Sequence, residues 1–376
     1  MVSLALIVLG TGLLKPNVSV MVGQLYSADD PRRASGFSIF YMSINLGSFI
    51  APLVVGLVSE LFEYHIAFMI PAAMMVLALT IYTVLGRGAL RGIGRKPVQP
   101  LGAGERRRMA FIALIAVVIL AATVTILALN NLMDLAVVGD IMPETCTVVA
   151  AVIFFFIIRD RNVSGTERSR VLAFIPLFLA GAMFWAIAEQ QSTTIALIAD
   201  THVQNHVAGF EIPPSWYASV NPLVIIIGSP ILALIWTRAG NRQASLVAKM
   251  AVGLFLAFAG FVVFAVAFWQ TTSATLVNPL WIVAGLTLMT VGEIFLSPTA
   301  LAATTQLAPQ RHISKMMSLW LISNALGQGV VALTADFFNE AAPAGFFLAF
   351  ALVALIIGIL LLLLQGKLLS MMKGVR

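Results

Sequence analysis

The sequence predicts an all-α polytopic membrane protein, and three observations carry that prediction. Of the 376 residues, 60% are hydrophobic and only 10% are charged, against about 25% charged in soluble domains. The apolar residues gather into eleven stretches, most of them close to the roughly 20 residues an α-helix needs to cross a bilayer. The gaps between those stretches alternate between basic and free of Lys and Arg.

Taken in order, the first stretch is Met1–Tyr26, which contains Gly10, Gly12, Lys15 and Pro16. Gly36–Ser59 and Tyr64–Arg87 follow. The segment RGALRGIGRKPVQPLGAGERRR has the glycines and prolines of a flexible connector. Its Gly92-Ile93-Gly94 is no dinucleotide fingerprint, because no strand precedes it and no helix follows at the right spacing. Next come Met109–Leu132 and Thr145–Ile158, the latter short for a crossing unless it borrows flanking residues. Val171–Asp200 and Asn278–Leu307 are long enough to tilt or break. Tyr217–Trp236, Ser245–Phe268, Ile313–Ala335 and Ala344–Leu364 complete the eleven.

The basic residues set the expected orientation, because Lys and Arg near helix ends are retained in the cytoplasm during insertion. Arg32 and Arg33, Arg87 to Arg108, Arg159 to Arg170, Arg238 to Lys249, Arg311 with Lys315, and Lys367 to Arg376 fall on one side. The intervening gaps carry no Lys or Arg. The carboxy terminus is therefore expected in the cytoplasm, with the first crossing entering from outside. A net charge of +6 follows from this topology and calls for no nucleic acid. Met1 opens into an apolar helix without a basic flank, so further helices are expected upstream of it. The single Cys146 gives neither a disulfide framework nor metal-ligand spacing and reads as a packing residue.

Polar residues inside crossings are the candidates for function, because hydrocarbon offers them no partner. Lys15 is the one cation near the middle of an apolar stretch and is too deep to snorkel to either interface. Glu189 lies in FWAIAEQQSTTIALIAD, where five polar side chains follow it and imply a wet cavity. Glu293 sits five residues before Pro298, whose missing N–H frees a carbonyl and bends the helix. Asn45 and Asn221 are suited either to a ligand or to holding helices together.

The blocks GTGLLKPNVS, GFSIFYMSINLGSFIAP, FWAIAEQQST, SVNPLVIIIGSP, GEIFLSPTAL and SLWLISNALGQG, in this order, resemble the proton-dependent oligopeptide transporter family over nearly the whole chain. That resemblance implies the major facilitator fold, with two six-helix bundles and, in bacterial members, two inserted helices between them. It makes residues 1–87 the remainder of the amino-terminal bundle, 88–108 the linker, 109–170 the inserted pair with its connector, and 171–376 the carboxy-terminal bundle. It also implies three helices upstream, including one with a Glu-x-x-Glu-Arg motif that this sequence does not contain.

The resemblance further implies a monomeric, proton-coupled symporter of di- and tripeptides in the cell membrane, without cofactor or metal. Lys15 and Glu189 would then handle the proton. Lys15 would also meet the peptide carboxylate, Glu293 its ammonium, and Asn45 and Asn221 its amide. Tyr41, Trp185 and Trp320 would supply apolar walls, with Ser323 beside them. Some relatives of this kind carry nitrate, but Glu293 would repel an anion and attract an ammonium. Nothing in the chain has the spaced aspartates of an enzyme acting on magnesium diphosphates.

Overall fold

The computed structural model describes residues 32–62, 64–90, 135–207, 209–269, 276–340 and 342–375, with scattered positions between 6 and 25 and between 92 and 111. Two compact units divide the chain, Met1–Leu132 and Met133–Arg376. In the first, α1 (Arg32–Leu61) packs on α2 (Tyr64–Val84). The crossings expected at Met1–Tyr26 and Met109–Leu132 fall mostly outside the described residues.

The second unit is helical apart from one small hairpin. It comprises α3 (Leu135–Arg159), α4 (Gly165–Ala188), α5 (Thr194–Thr201), α6 (Val220–Ala239), α7 (Leu246–Ala267), α8 (Pro279–Leu307), α9 (Ile313–Thr334) and α10 (Pro343–Met371). Between α5 and α6, β1 (His206–Val207) pairs antiparallel with β2 (Phe210–Glu211), and Gly209 turns the chain at φ +83°. Among the described residues, nine helical segments are long and apolar enough to cross a membrane. Their apolar side chains point outward as well as inward: Phe68 is 71% exposed and Leu363 75%. Lipid tails suit such surfaces, so helices can be hydrophobic all round.

Two expectations about crossing length are refined. The segment expected at Thr145–Ile158 starts ten residues earlier, at Leu135, and runs through Pro143 to give a helix of 25 residues. Asp140 and Glu144 made the first turns look like a loop, although only two acids interrupt an otherwise apolar run. The long Val171–Asp200 stretch breaks, with a 3-10 turn at Glu189–Ser192 separating α4 from α5. Its companion does not break, because α8 continues through Pro298.

The core of the second unit lies between α7, α8 and α10. Phe347 on α10 meets Phe264 and Phe261 on α7 at centroid distances of 5.3 and 5.4 Å. On its other side α7 touches α8 backbone to backbone. A Cβ added at Gly292 would lie 2.6 Å from the Gly253 carbonyl oxygen, and one at Gly253 would lie 2.9 Å from that of Gly292. Small residues of this kind let membrane helices approach closely enough for dispersion to hold them without a hydrophobic drive.

The helix ends on the basic side are tied by polar contacts. Ser164 and Glu167 form a reciprocal capping box that starts α4. Arg170 donates from Nε to the Met372 carbonyl and from Nη2 to that of Lys373, each at 3.0 Å, pinning the chain where it leaves α10. Asp160, in the α3–α4 connector, accepts from the Asn162 backbone N–H at 2.9 Å and pairs at 2.8 Å with Nε2 of His312, which precedes α9. The Asn162 N–H first, and His312 next, hold the Asp160 carboxyl at about 2, below its ordinary 3.8.

Two outcomes follow for stability. Gly292→Ala should lower the melting temperature in detergent, because its new methyl meets a carbonyl that cannot swing aside, a clash on the scale of about 1–3 kcal/mol. Gly345→Ala, with nothing within 4 Å, serves as the control and should not lower it. For Asp160, the folded carboxyl titrates below its unfolded value, so its contribution is complete above pH 3.8 and disappears as the pH falls through 2. Asp160→Asn should therefore melt earlier than wild type at neutral pH, with the gap closing across that acid window. A gap independent of pH would show that the charge is not what matters.

Candidate functional site

The break in α4 creates the centre of the site. Helical hydrogen bonding stops where Glu189, Gln190, Gln191, Ser192 and Thr193 bring side chains that compete with the backbone. The Gln190 Oε1 accepts from the Thr194 hydroxyl at 2.6 Å and the Thr193 hydroxyl at 3.4 Å. Thr193 leaves helical geometry at φ −124°, ψ −95° before α5 begins. Glu189 is thus carried on an irregular turn at membrane depth, a backbone form tolerated only inside protein or beside a wet cavity.

Each of the two acidic residues singled out in the sequence is held by an asparagine from another helix. Glu189 Oε1 accepts from Asn324 Nδ2 on α9 at 3.2 Å. Glu293 Oε2 on α8 accepts from Asn221 Nδ2, in the first turn of α6, at 2.8 Å. The same Asn221 amide donates to Thr290 Oγ1 at 3.2 Å, one turn before Glu293. Each half-buried carboxyl thus has at least one N–H donor.

Two indoles precede the Glu189–Asn324 pair by one turn, Trp185 on α4 and Trp320 on α9. The Trp185 and Trp320 rings lie 6.1 Å apart, tilted by 58°. Trp185 Nε1 is buried without a hydrogen-bond partner among the described residues. Trp320 fits against α4 because Gly181 faces it; an added Cβ there would lie 2.9 Å from the indole. Ser323 is fully buried, and its hydroxyl donates to the Trp320 carbonyl at 2.6 Å. Trp185, Glu189, Asn221, Glu293, Trp320 and Ser323 thus all belong to the second unit and lie on α4 or its following turn, α6, α8 and α9. Tyr41 and Asn45 lie on α1 in the first unit, where the buried Asn45 donates from Nδ2 to the Tyr41 carbonyl at 2.9 Å. Lys15 lies outside the described residues.

Sequence reasoning missed three polar partners: Asn324, Gln328 and Thr290. Gln328 Nε2 donates to Asn324 Oδ1 at 3.0 Å, and the two amides are one helical turn apart. Two amides at a spacing of four inside a crossing were the available signal, because that spacing puts both on one helix face. Thr290 bears the same relation to Glu293, three residues later on α8.

Comparison with known proteins gives this arrangement its setting. A model described as the POT family matches residues 1–361. An uncharacterized transporter, YclF, of Bacillus subtilis (strain 168) is 37% identical over all of this chain and 75% of its own length. A di-/tripeptide transporter of Lactococcus lactis subsp. cremoris is 36% identical over all of this chain and 76% of its own. A crystal structure of a peptide transporter POT in complex with sulfate superposes with a TM-score of 0.94 at 40% identity, covering 99% of this chain and 76% of that one. The chain is therefore a multi-pass membrane transporter of the major facilitator fold, not an enzyme. It belongs to the POT family.

The Asn221–Glu293 contact has a direct consequence. Asn221→Ala leaves a carboxyl short of its donor and should destabilise the protein by about 1–3 kcal/mol, the scale of a lost hydrogen bond to such a group. Melting of Asn221→Ala, Glu293→Gln and the double variant should be non-additive, as expected for directly contacting partners. Strict additivity would remove the contact.

Proposed function

We propose that the full-length protein imports di- and tripeptides together with protons, working as a monomer in the cell membrane by alternating access. The observation that carries this reading is Glu189 on the broken turn between α4 and α5, where its carboxyl accepts from Asn324 of α9. An acid at such a break can exchange a proton with a wet cavity, whereas an acid inside an intact, lipid-covered helix could not. Relatives named for peptide transport support the substrate class.

A short peptide zwitterion brings an ammonium, a carboxylate and an amide. In this reading Glu293 meets the ammonium, with Asn221 fixing the carboxyl that does so. Trp185 and Trp320 form walls that accept side chains of many sizes, and the unpartnered Trp185 Nε1 is a donor for a substrate carbonyl. Ser323 belongs to the same wall and sets the turn of α9 that carries Trp320. Tyr41 and Asn45 are assigned to peptide binding as well. Lys15 is assigned two partners in turn, the peptide carboxylate and an acid of the proton path, so that arrival of peptide and loss of an ion pair are linked.

Residues 1–87 would then belong to the amino-terminal bundle and residues 171–376 to the carboxy-terminal one. Residues 88–108 would link them, and residues 109–170 would hold the inserted helices. The alternation of basic gaps supports a cytoplasmic carboxy terminus.

Reconstitution into proteoliposomes with an imposed pH gradient tests this reading. Wild type should accumulate a labelled dipeptide and not nitrate. Glu189→Gln should lose gradient-driven uptake while keeping most peptide counterflow, because exchange of peptide for peptide needs no net proton transfer. Undiminished driven uptake in that variant would remove Glu189 from the proton path, and nitrate accumulation would overturn the peptide assignment.

A further inference from the structure

Asn324 is committed at both ends of its amide. Its Nδ2 donates to Glu189 Oε1 at 3.2 Å while its Oδ1 accepts from Gln328 Nε2 at 3.0 Å. A neutral asparagine amide can present either an acceptor or a donor to a neighbour. The Gln328 donation occupies the carbonyl end and so fixes the donor end toward Glu189. This orientation matters because an N–H group binds an ionised carboxylate through a charge-assisted bond, and binds the protonated form only through an ordinary one.

The contact depends on how closely α9 approaches α4. Gly327, one turn beyond Asn324, leaves no space for a side chain: an added Cβ would lie 2.6 Å from Trp185 Cβ, 2.7 Å from the Ala186 nitrogen and 2.8 Å from the Ala182 oxygen. Backbone therefore meets backbone just before the point where α4 breaks. Residues three apart share a helix face, so the face of α9 that touches α4 is the one that presents Asn324 to Glu189. The carboxyl sits on the irregular turn, free of regular helical restraint, and α9 supplies its donor.

We propose that Asn324, oriented by Gln328, is a positioning residue that fastens the Glu189 carboxyl to α9 and so couples the protonation state of the α4 break to the packing of α9 on α4. Ionised Glu189 draws the two helices together through the amide; protonated Glu189 releases part of that hold. This rests on the reading of Glu189 as the proton-coupling group. Neither asparagine nor glutamine gives up a proton in this scheme. Glu189 alone gains and loses one, and the amides set where it sits.

The test uses the full-length protein in proteoliposomes at matched protein abundance, with a dipeptide as substrate. Asn324→Leu keeps the side chain's bulk and removes both amide functions. It should reduce gradient-driven uptake about tenfold, the scale of one hydrogen bond to a charged group, while counterflow stays within about twofold, as expected if the apolar packing is kept. Gln328→Leu should act in the same direction by a smaller factor, because Asn324 remains but loses its orienter. Infrared difference spectra between acid and alkaline conditions supply an independent readout. The carboxyl band that disappears in Glu189→Gln should shift in Asn324→Leu, which a purely structural role would not produce.

An unshifted band, or equal loss of driven uptake and counterflow, would overturn the positioning role. Normal driven uptake by Glu189→Gln would overturn the reading beneath it and this proposal together. A defective Glu189→Gln beside an unaffected Asn324→Leu would overturn this proposal alone.

Discussion

Every backbone polar group at membrane depth has to be satisfied without help from lipid, and the architecture of the second unit follows from that one constraint. Regular helices meet it residue by residue, which is why the described crossings can be apolar on all sides. The constraint also makes any departure from regular helix expensive. The turn from Glu189 to Thr193 is the clearest such departure, and it coincides with a run of five polar residues from Glu189 to Thr193. Those side chains reward the break locally, as Gln190 does by accepting from Thr193 and Thr194. The acid that begins the turn is then placed where a regular helix would not hold it.

Lipid also removes the ordinary drive for packing, since a leucine gains little by leaving hydrocarbon for a protein interior. Close approach takes its place. Gly253 against Gly292 joins α7 to α8, and Gly327 against Ala182 and Ala186 joins α9 to α4. The consequences differ. The first contact builds scaffold around the Phe261, Phe264 and Phe347 cluster. The second lies beside the broken turn, so a close backbone approach of α9 and its Asn324 donor to Glu189 occur within a single helical turn. Dispersion between backbones fixes the distance, and the hydrogen bond is formed at the distance so fixed.

Much of this was legible in the sequence, for reasons specific to membranes. Long apolar runs report crossings almost directly, and an intramembrane acid stands out because it is costly. Glu189, Glu293 and the break after α4 could be read in that way. The start of α3 could not, because Asp140 and Glu144 imitate the polarity of a loop while remaining compatible with helix. Partnership was the hardest thing to read. Asn221 was visible as a buried amide, but its bond to Glu293 depends on how α6 is rotated against α8. Asn324 and Gln328 carried a weaker signal still, since amides are less costly in a membrane than charges and the spacing of four identifies a face without saying what the face meets. The fate of Ser323 was likewise invisible, because a hydroxyl can turn back onto its own helix, here the Trp320 carbonyl.

The two acids are supported in different ways. Glu293 receives the shorter bond, 2.8 Å against 3.2 Å for Glu189, and its donor Asn221 is braced by Thr290 on the same helix as Glu293 itself. That triangle closes within two helices, so movement elsewhere leaves it intact. Glu189 depends on a chain that runs outward along α9, from Asn324 to Gln328, and it sits on a turn rather than a helix. A carboxyl with a rigid, closed set of partners is suited to holding a fixed charge for a ligand. One on an irregular turn, fastened by a neutral amide from a neighbouring helix, is suited to changing its charge and having that change felt by the helix. The division of labour proposed for the two acids thus corresponds to a difference in how each carboxyl is anchored.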